Sequence, residues 1–581
     1  MKNQDYPKRA SKGDVTPDLI LHSGTVITLN RSSTMAEALA VRGDRILGCG
    51  TSAELLGKAA PETRRIDLGG RTVVPGFYDA HPHMDREGLK FLGGIPIAGL
   101  RSVADICNVV RNAANSVKPG EWIVLMPMGT PPLDYVNRPE QLREGRFPTR
   151  YDLDEAAPDN PVYIRAVWGW WSHRPFPSVA NSMALHLAGI GRDTPAPYNV
   201  EIIKDRRGGE PTGVFLDRSF APVLEYTLFK VLPRFTYADR IEGVRRASEA
   251  YSAVGTTSGY EGHGLTPTVI RAYCEVHNRG ELSVRIDTPY SMPTAAMDDR
   301  HISDLLYHYS GTASGRGIGD DMFRVEGIML GNGNPQVAEL LGREYPYEQW
   351  AGHFIQALPP NDRFVRLAVE AAHLGLRVSR SVCYDLEEEL NAYEAIDKKV
   401  SIRDRRWVFM HLIQANPKQL KRIKELGLIV TVEPNFMYMA SDRFGLDQLR
   451  DEGIPLRQLI DAGIPVALGT DNVPHSMLWT MWEALARWDE DSKTRLGQSQ
   501  LTREEALRLV TQTGHLITWN EDRFGSLEAG KMADLAVLGD NPLTCPEDRI
   551  KDIPVDLTFV GGKQVYERKP EEPGANPSGA S

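Results

Sequence analysis

Residues 73–83 read Val73-Val74-Pro75-Gly76-Phe77-Tyr78-Asp79-Ala80-His81-Pro82-His83. The apolar run forms a strand that ends in His-x-His, and alternate residues of an extended chain project to one side. Both imidazoles can then converge on one cation. In a barrel of parallel strands the carboxyl ends of the strands form the active face, so a histidine pair there is placed for chemistry.

Outward from this stretch, the same kind of apolar run recurs. TVVPGFYDAH, GTTSGYEGH, LSVRID, FRVEGIML, LRVSRSVC, RWVFMH, LIVTVEP and PVALGTD make about eight candidate strands, the number that closes a (β/α)8 TIM-like barrel. Amphipathic helices lie between them. Phe364, Leu367, Ala368 and Ala371 fall at i, i+3, i+4 and i+7, and Leu420, Ile423 and Leu426 mark a second helical face. Strands alternating with helices predict parallel βα units in an α/β fold. A doubly wound open sheet is the alternative.

The two ends of the chain carry a different pattern. LILHSGTVITLN and EALAVRGDRILGCG contain apolar runs that flank the turn signal Arg42-Gly43-Asp44, and DLTFVGGKQVYE carries Gly561-Gly562 between alternating strands. Residues 18–70 and 525–567 are expected to form one composite β-sandwich domain, with the barrel over 71–524. Residues 1–17 and 568–581 are rich in polar residues, Pro and Gly, and are expected to be disordered. The stretch from about 84 to 250 is too long for one βα loop and reads as a large insertion after strand 1. Its Trp168, Trp170 and Trp171 either pack that insertion onto the barrel or meet an apolar or aromatic substrate.

Composition excludes other classes. The 581 residues hold 67 Lys+Arg against 77 Asp+Glu, a net charge of −10, so no basic surface is available to neutralise a phosphate backbone and no nucleic-acid partner is expected. Cys49, Cys107, Cys274, Cys383 and Cys545 lie far apart, in neither a metal-binding nor a disulfide-scaffold spacing. No apolar run approaches a membrane span. The expectation is a cytoplasmic protein without a membrane partner.

Two further residues sit at strand ends. His411 closes RWVFMH and Asp471 closes PVALGTD. A hard carboxylate added to imidazoles suits zinc or another borderline divalent ion, and Asp471 can also accept the proton of water that such an ion activates. Glu261 and His263 in GYEGHG follow a strand and are possible additional ligands. His173, Trp171, Tyr384 and Asn472 are candidate substrate-binding residues, and His475 is a further pocket candidate.

VVPGFYDAHPH, ANSMALHLAGI, GEPTGV, HLIQANP, GIPVALGTDN and FGSLEAGKMADLAVL together resemble successive landmarks of the amidohydrolase superfamily, in the family 3 branch that includes N-substituted formamide deformylases. The resemblance runs from about Leu19 to Tyr566. It implies a metal-dependent hydrolase acting on a small molecule, with His81 and His83 as metal ligands, His411 as a ligand or carbonyl-polarising group, and Asp471 as ligand and base. A homo-oligomer is also implied. Two departures stand out. The position of the family's carboxylated lysine is Met329, and the fifth strand carries Ser379-Arg380-Ser381 in place of His-x-His. Met and Ser are poor ligands beside imidazole and carboxylate, so a mononuclear site with one divalent ion, Zn2+ first, is expected. The reaction expected is hydrolysis of a C–N bond in an amide, formamide, cyclic amide or carbamate. A metal-dependent lyase or decarboxylase, requiring Arg86, Arg174 or Arg380 to face inward, is one alternative, and an inactive scaffold is another.

Overall fold

The computed structural model describes residues 16–130, 134–167, 173–219, 223–331, 361–381, 385–438, 453–497 and 501–569. Residues 1–15 and 570–581, most of the two expected disordered ends, lie outside them.

The apolar runs form the parallel strands β1 Phe77–Asp79, β2 Thr256–Tyr260, β3 Arg285–Ser291, β4 Phe323–Met329, β5 Val378–Ser381, β6 Val408–Met410, β7 Ile429–Val432 and β8 Val466–Leu468, each hydrogen-bonded to the next in chain order. Registers such as Ser258 opposite Arg285, Ser379 opposite Val408 and Val430 opposite Val466 define the ladder. The two edges meet just beyond β1 and β8, where the Ala80 amide donates to Leu468 O at 3.0 Å and the Asp471 amide to His81 O at 2.8 Å. An open doubly wound sheet is thereby excluded, because its edge strands would lie at opposite sides.

Side chains fill the barrel interior. Tyr78, Tyr260, Met329, Val408, Met410, Ile429 and Ala467 form one buried cluster there. Outside, the helix Asn361–His373 turns Phe364, Leu367, Ala368 and Ala371 inward, the face its periodicity predicts. Pro417–Glu425 buries Leu420 and Ile423 in the same way.

The opening stretch serves two sheets. Thr72–Pro75 pairs antiparallel with Leu535–Leu538 and parallel with Thr25–Ile27, whereas Phe77–Asp79 begins the barrel. Gly76 is the joint between them. A Cβ there would lie 2.2 Å from Thr257 Oγ1, so no larger residue fits this close approach.

Strands from both ends of the chain therefore share one six-stranded sheet, beside a four-stranded sheet built from residues 19–67. Leu21, Val26, Leu39, Val73, Leu535, Val537 and Phe559 form a common core. Gly43, at φ +56°, makes the hairpin turn between Ala38–Arg42 and Arg45–Gly50. Between β1 and β2 the chain builds a separate five-stranded sheet from strands within residues 123–217. It then returns through the helix Tyr237–Ala253, which packs on the short helix Met84–Lys90. The two helices cross at glycines: a Cβ on Gly88 would lie 1.8 Å from Gly243 O. Among the described residues, no helix is long and apolar enough to cross a membrane.

Candidate metal centre

The carboxyl end of β1 delivers His81 and His83. Asp79, buried in the strand, accepts from the His81 amide at 2.9 Å, from the Thr470 amide at 3.0 Å and from Thr470 Oγ1 at 2.5 Å. One carboxylate thus ties the end of β1 to the loop after β8 and fixes His81 against Asp471. His83, His411, Asp471 and Asn472 all adopt positive φ, between +49° and +63°. Left-handed backbone is uncommon for such residues and gathers where surrounding structure over-determines it.

The side chains converge. His83 Nε2 lies 2.9 Å from Asp471 Oδ1, and His81 Nε2 lies 4.0 Å from the same oxygen. His81 Nε2 is also 3.1 Å from His411 Nε2. The donor atoms of His81, His83 and Asp471 lie within 4.8 Å of one another, as do those of His81, His263 and His411. His81 is fully buried, and burial, followed by the neighbouring His83, His263, His411 and Arg86, drives its pKa well below the usual 6.5. It is therefore neutral, the form that binds metals.

Each other candidate has a definite place. Glu261 sits behind His83, its Oε1 2.8 Å from Nδ1 and its Oε2 3.2 Å from the Met84 amide, on the opposite ring nitrogen from Asp471. His263 lies edge-on to His81, with ring centroids 4.5 Å apart. Asn472 donates to Glu87 Oε2 at 2.9 Å, and His475 Nδ1 is 3.5 Å from Glu87 Oε1, so both join a network around Glu87. His173 Nε2 is 2.5 Å from Asp491 Oδ1, linking the insertion to the region after β8. Trp171 and Tyr384, with Trp168 and Trp170, lie outside the described residues.

The three arginines diverge. Arg380 points into the helical layer, paired through Nε and Nη2 with Glu389 at 2.7 and 2.9 Å and stacked 3.8 Å over Phe364. Arg174 is exposed. Arg86 alone of the three faces the centre, 3.6 Å from Asp471 Oδ1. The residue that reading the sequence missed is Glu433, buried just after β7 with Oε2 3.9 Å from His411 Nδ1. Its signal was present, since LIVTVEP places Glu433 directly after its apolar run, much as PVALGTD places Asp471 near the end of its own.

The model of the Amidohydrolase family matches residues 64–566. N-substituted formamide deformylase of Arthrobacter pascens is 28% identical over 95% of this chain and 98% of its own length. The putative amidohydrolase YtcJ of Bacillus subtilis is 24% identical over 94% and 99%. The crystal structure of an uncharacterized metal-dependent hydrolase from Pyrococcus furiosus superposes with a TM-score of 0.63 at 22% identity, covering 90% of this chain and all of that one. With a match across most of its length and a histidine–aspartate centre at the barrel mouth, this chain belongs to the amidohydrolase family and is a metal-dependent hydrolase.

Proposed function

We propose that this chain hydrolyses a C–N bond in a small amide, formamide, cyclic amide or carbamate, with one divalent ion held by His81, His83 and Asp471 and with His411 beside them. The observation that carries the reading is the convergence of those donors from β1 and β8 within 4.8 Å of one another. The residues fit an ion: His81 is neutral, and its Nε2 faces Asp471 Oδ1 at 4.0 Å while His83 Nε2 faces the same oxygen at 2.9 Å. Imidazole with carboxylate favours zinc, one per chain.

When bound, the ion supplies Lewis-acid chemistry, polarising a carbonyl oxygen and making water nucleophilic near neutral pH. The chain does the rest. Asp471 takes the proton from water on its carboxylate and passes it to the leaving nitrogen. His411 Nε2 hydrogen-bonds the carbonyl oxygen of the substrate, and Glu261 holds the His83 ring in the tautomer that presents Nε2 forward.

The 28% identical relative is named an N-substituted formamide deformylase, which makes N-substituted formamides the first substrates to test, with an aromatic N-substituent suited to the Trp168–Trp171 run. Residues 18–70 and 525–567 are assigned to one β-sandwich domain, supported by their shared sheet and core. Residues 84–250 form an insertion that shapes specificity. The widely spaced cysteines, free among the described residues, support the cytoplasm.

The test is metal content per chain, by elemental analysis of protein purified without chelator, with amine release from a panel of formamides and amides. A single ion that disappears with the activity in the folded double variant His81→Ala/His83→Ala is expected. A folded wild-type chain without metal sinks the reading. A second reading, a lyase acting on a carboxylate substrate, has Arg86 beside Asp471 in its favour. Release of CO2 instead of amine would select it.

A further inference from the structure

We infer that His263, carried by the loop after β2, is an imidazole ligand of the same ion, and that Ser379 and Ser381 of β5 hold it in place. The inference rests on the metal centre proposed above and adds to it one ligand and its mount.

His263 belongs to the cluster by position. Its ring lies 4.5 Å from that of His81 at 86°, 4.8 Å from that of His83, and 5.4 Å from that of His411 at 19°. The donor atoms of His81, His263 and His411 approach one another as closely as those of His81, His83 and Asp471. The two triads share His81. Its contacts to both, with Asp471 at 4.0 Å and His411 at 3.1 Å, run through the same nitrogen, Nε2. One nitrogen lone pair binds one ion, so His263 joins the ion of His81, His83 and Asp471 as an added ligand, with His411 beside it.

The mount explains the two serines. A hydroxyl is a poor ligand for a borderline ion but a good hydrogen-bonding group. Ser381 Oγ lies 3.0 Å from His263 Nε2, and Ser379 Oγ donates to Gly262 O at 2.9 Å. The hydrogen bond between Nε2 and Ser381 fixes the orientation of the ring beside His81 and His411, as outer partners of ligand imidazoles do. β5 therefore fastens the loop that supplies the donor.

The loop is shaped for this task. Its turn closes with the Gly264 amide donating to Glu261 O at 2.8 Å. A Cβ on Gly262 would lie 2.4 Å from Met410 Sδ, and one on Gly264, at φ +71°, 2.7 Å from Pro289 O. Only glycines let the turn press this far into the barrel mouth. Glu261, from the same turn, orients His83, so Glu261-Gly262-His263-Gly264 delivers one donor and steers another.

The test titrates the full chain, stripped by chelator, with Co2+ alone, reading affinity by competition and the ligand field by visible absorption. His263→Ala, checked for folding by circular dichroism, is expected to weaken Co2+ by on the order of 100-fold or more and to change the spectrum. Ser381→Ala is expected to weaken it about 10- to 100-fold, with Ser381→Thr restoring it. A second measurement needs no variant: in wild-type protein, half-buried His263 should react with diethylpyrocarbonate when stripped and be protected by Co2+. Wild-type affinity and spectrum in His263→Ala, or equal modification with and without Co2+, overturns the inference. Binding lost in His83→Ala but kept in His263→Ala overturns it alone, whereas a wild-type chain that binds no Co2+ overturns the metal centre itself.

Discussion

His83 Nδ1 lies 2.8 Å from Glu261 Oε1, with both side chains buried. The contact fixes the ring so that Nε2 faces Asp471, 2.9 Å away. Replacing Glu261 with Gln keeps the shape but leaves one oxygen where two now meet His83 Nδ1 and the Met84 amide. Metal affinity is expected to fall about 10- to 100-fold, the usual cost of losing such an orienting partner. Competition with a coloured chelator measures it, and unchanged affinity would show that the carboxylate does not steer His83.

Asp471→Asn leaves an oxygen to face the ion and removes the proton acceptor. Turnover is expected to fall about 100- to 10,000-fold, the range for losing a general base, while part of the metal is retained. Steady-state kinetics beside metal analysis separates the two effects. Full activity would mean that the proton goes elsewhere.

The joint between barrel and terminal strands has its own lock. Arg285 of β3 pairs with Asp534 through Nε at 2.7 Å and Nη2 at 3.0 Å, and the Gly561 amide also donates to Asp534 at 2.7 Å. Asp534→Ala leaves the guanidinium buried without its partner and is expected to destabilise the fold by about 3–5 kcal/mol. Urea denaturation with an activity probe would detect it, and a loss below about 1 kcal/mol would contradict the burial argument.

Asp217, at the end of a strand in the insertion, is pushed from 3.8 up to about 7 because burial outweighs its hydrogen bonds from Ser219. The folded state then binds more protons than the unfolded chain between these values. On this contribution stability is full below the unfolded pKa, falls as pH rises towards 7 and is flat above it. Asp217→Asn should remove that fall, so its advantage in chemical denaturation should grow across the same window. An advantage independent of pH would show that Asp217 titrates normally.

Strand ends were legible in the sequence because their signal is local. His81, His83, His411 and Asp471 each follow an apolar run, and a barrel brings such positions to one face. Arg380 was ambiguous for the opposite reason: side-chain direction within Ser379-Arg380-Ser381 depends on register, and only Glu389 and Phe364 on the outer layer show which way it turns.

The sequence by itself determined the repeated strand–helix pattern, the family, and the four strand-end positions that converge at the barrel mouth, since periodicity and motif spacing are carried by neighbours along the chain. Tertiary structure alone decided that Gly76 divides one apolar run between two sheets, that Glu261 lies behind His83, and that two serines of β5 fasten the loop bearing His263. Those relations join residues more than a hundred positions apart, and no local preference of the chain encodes a distance through space.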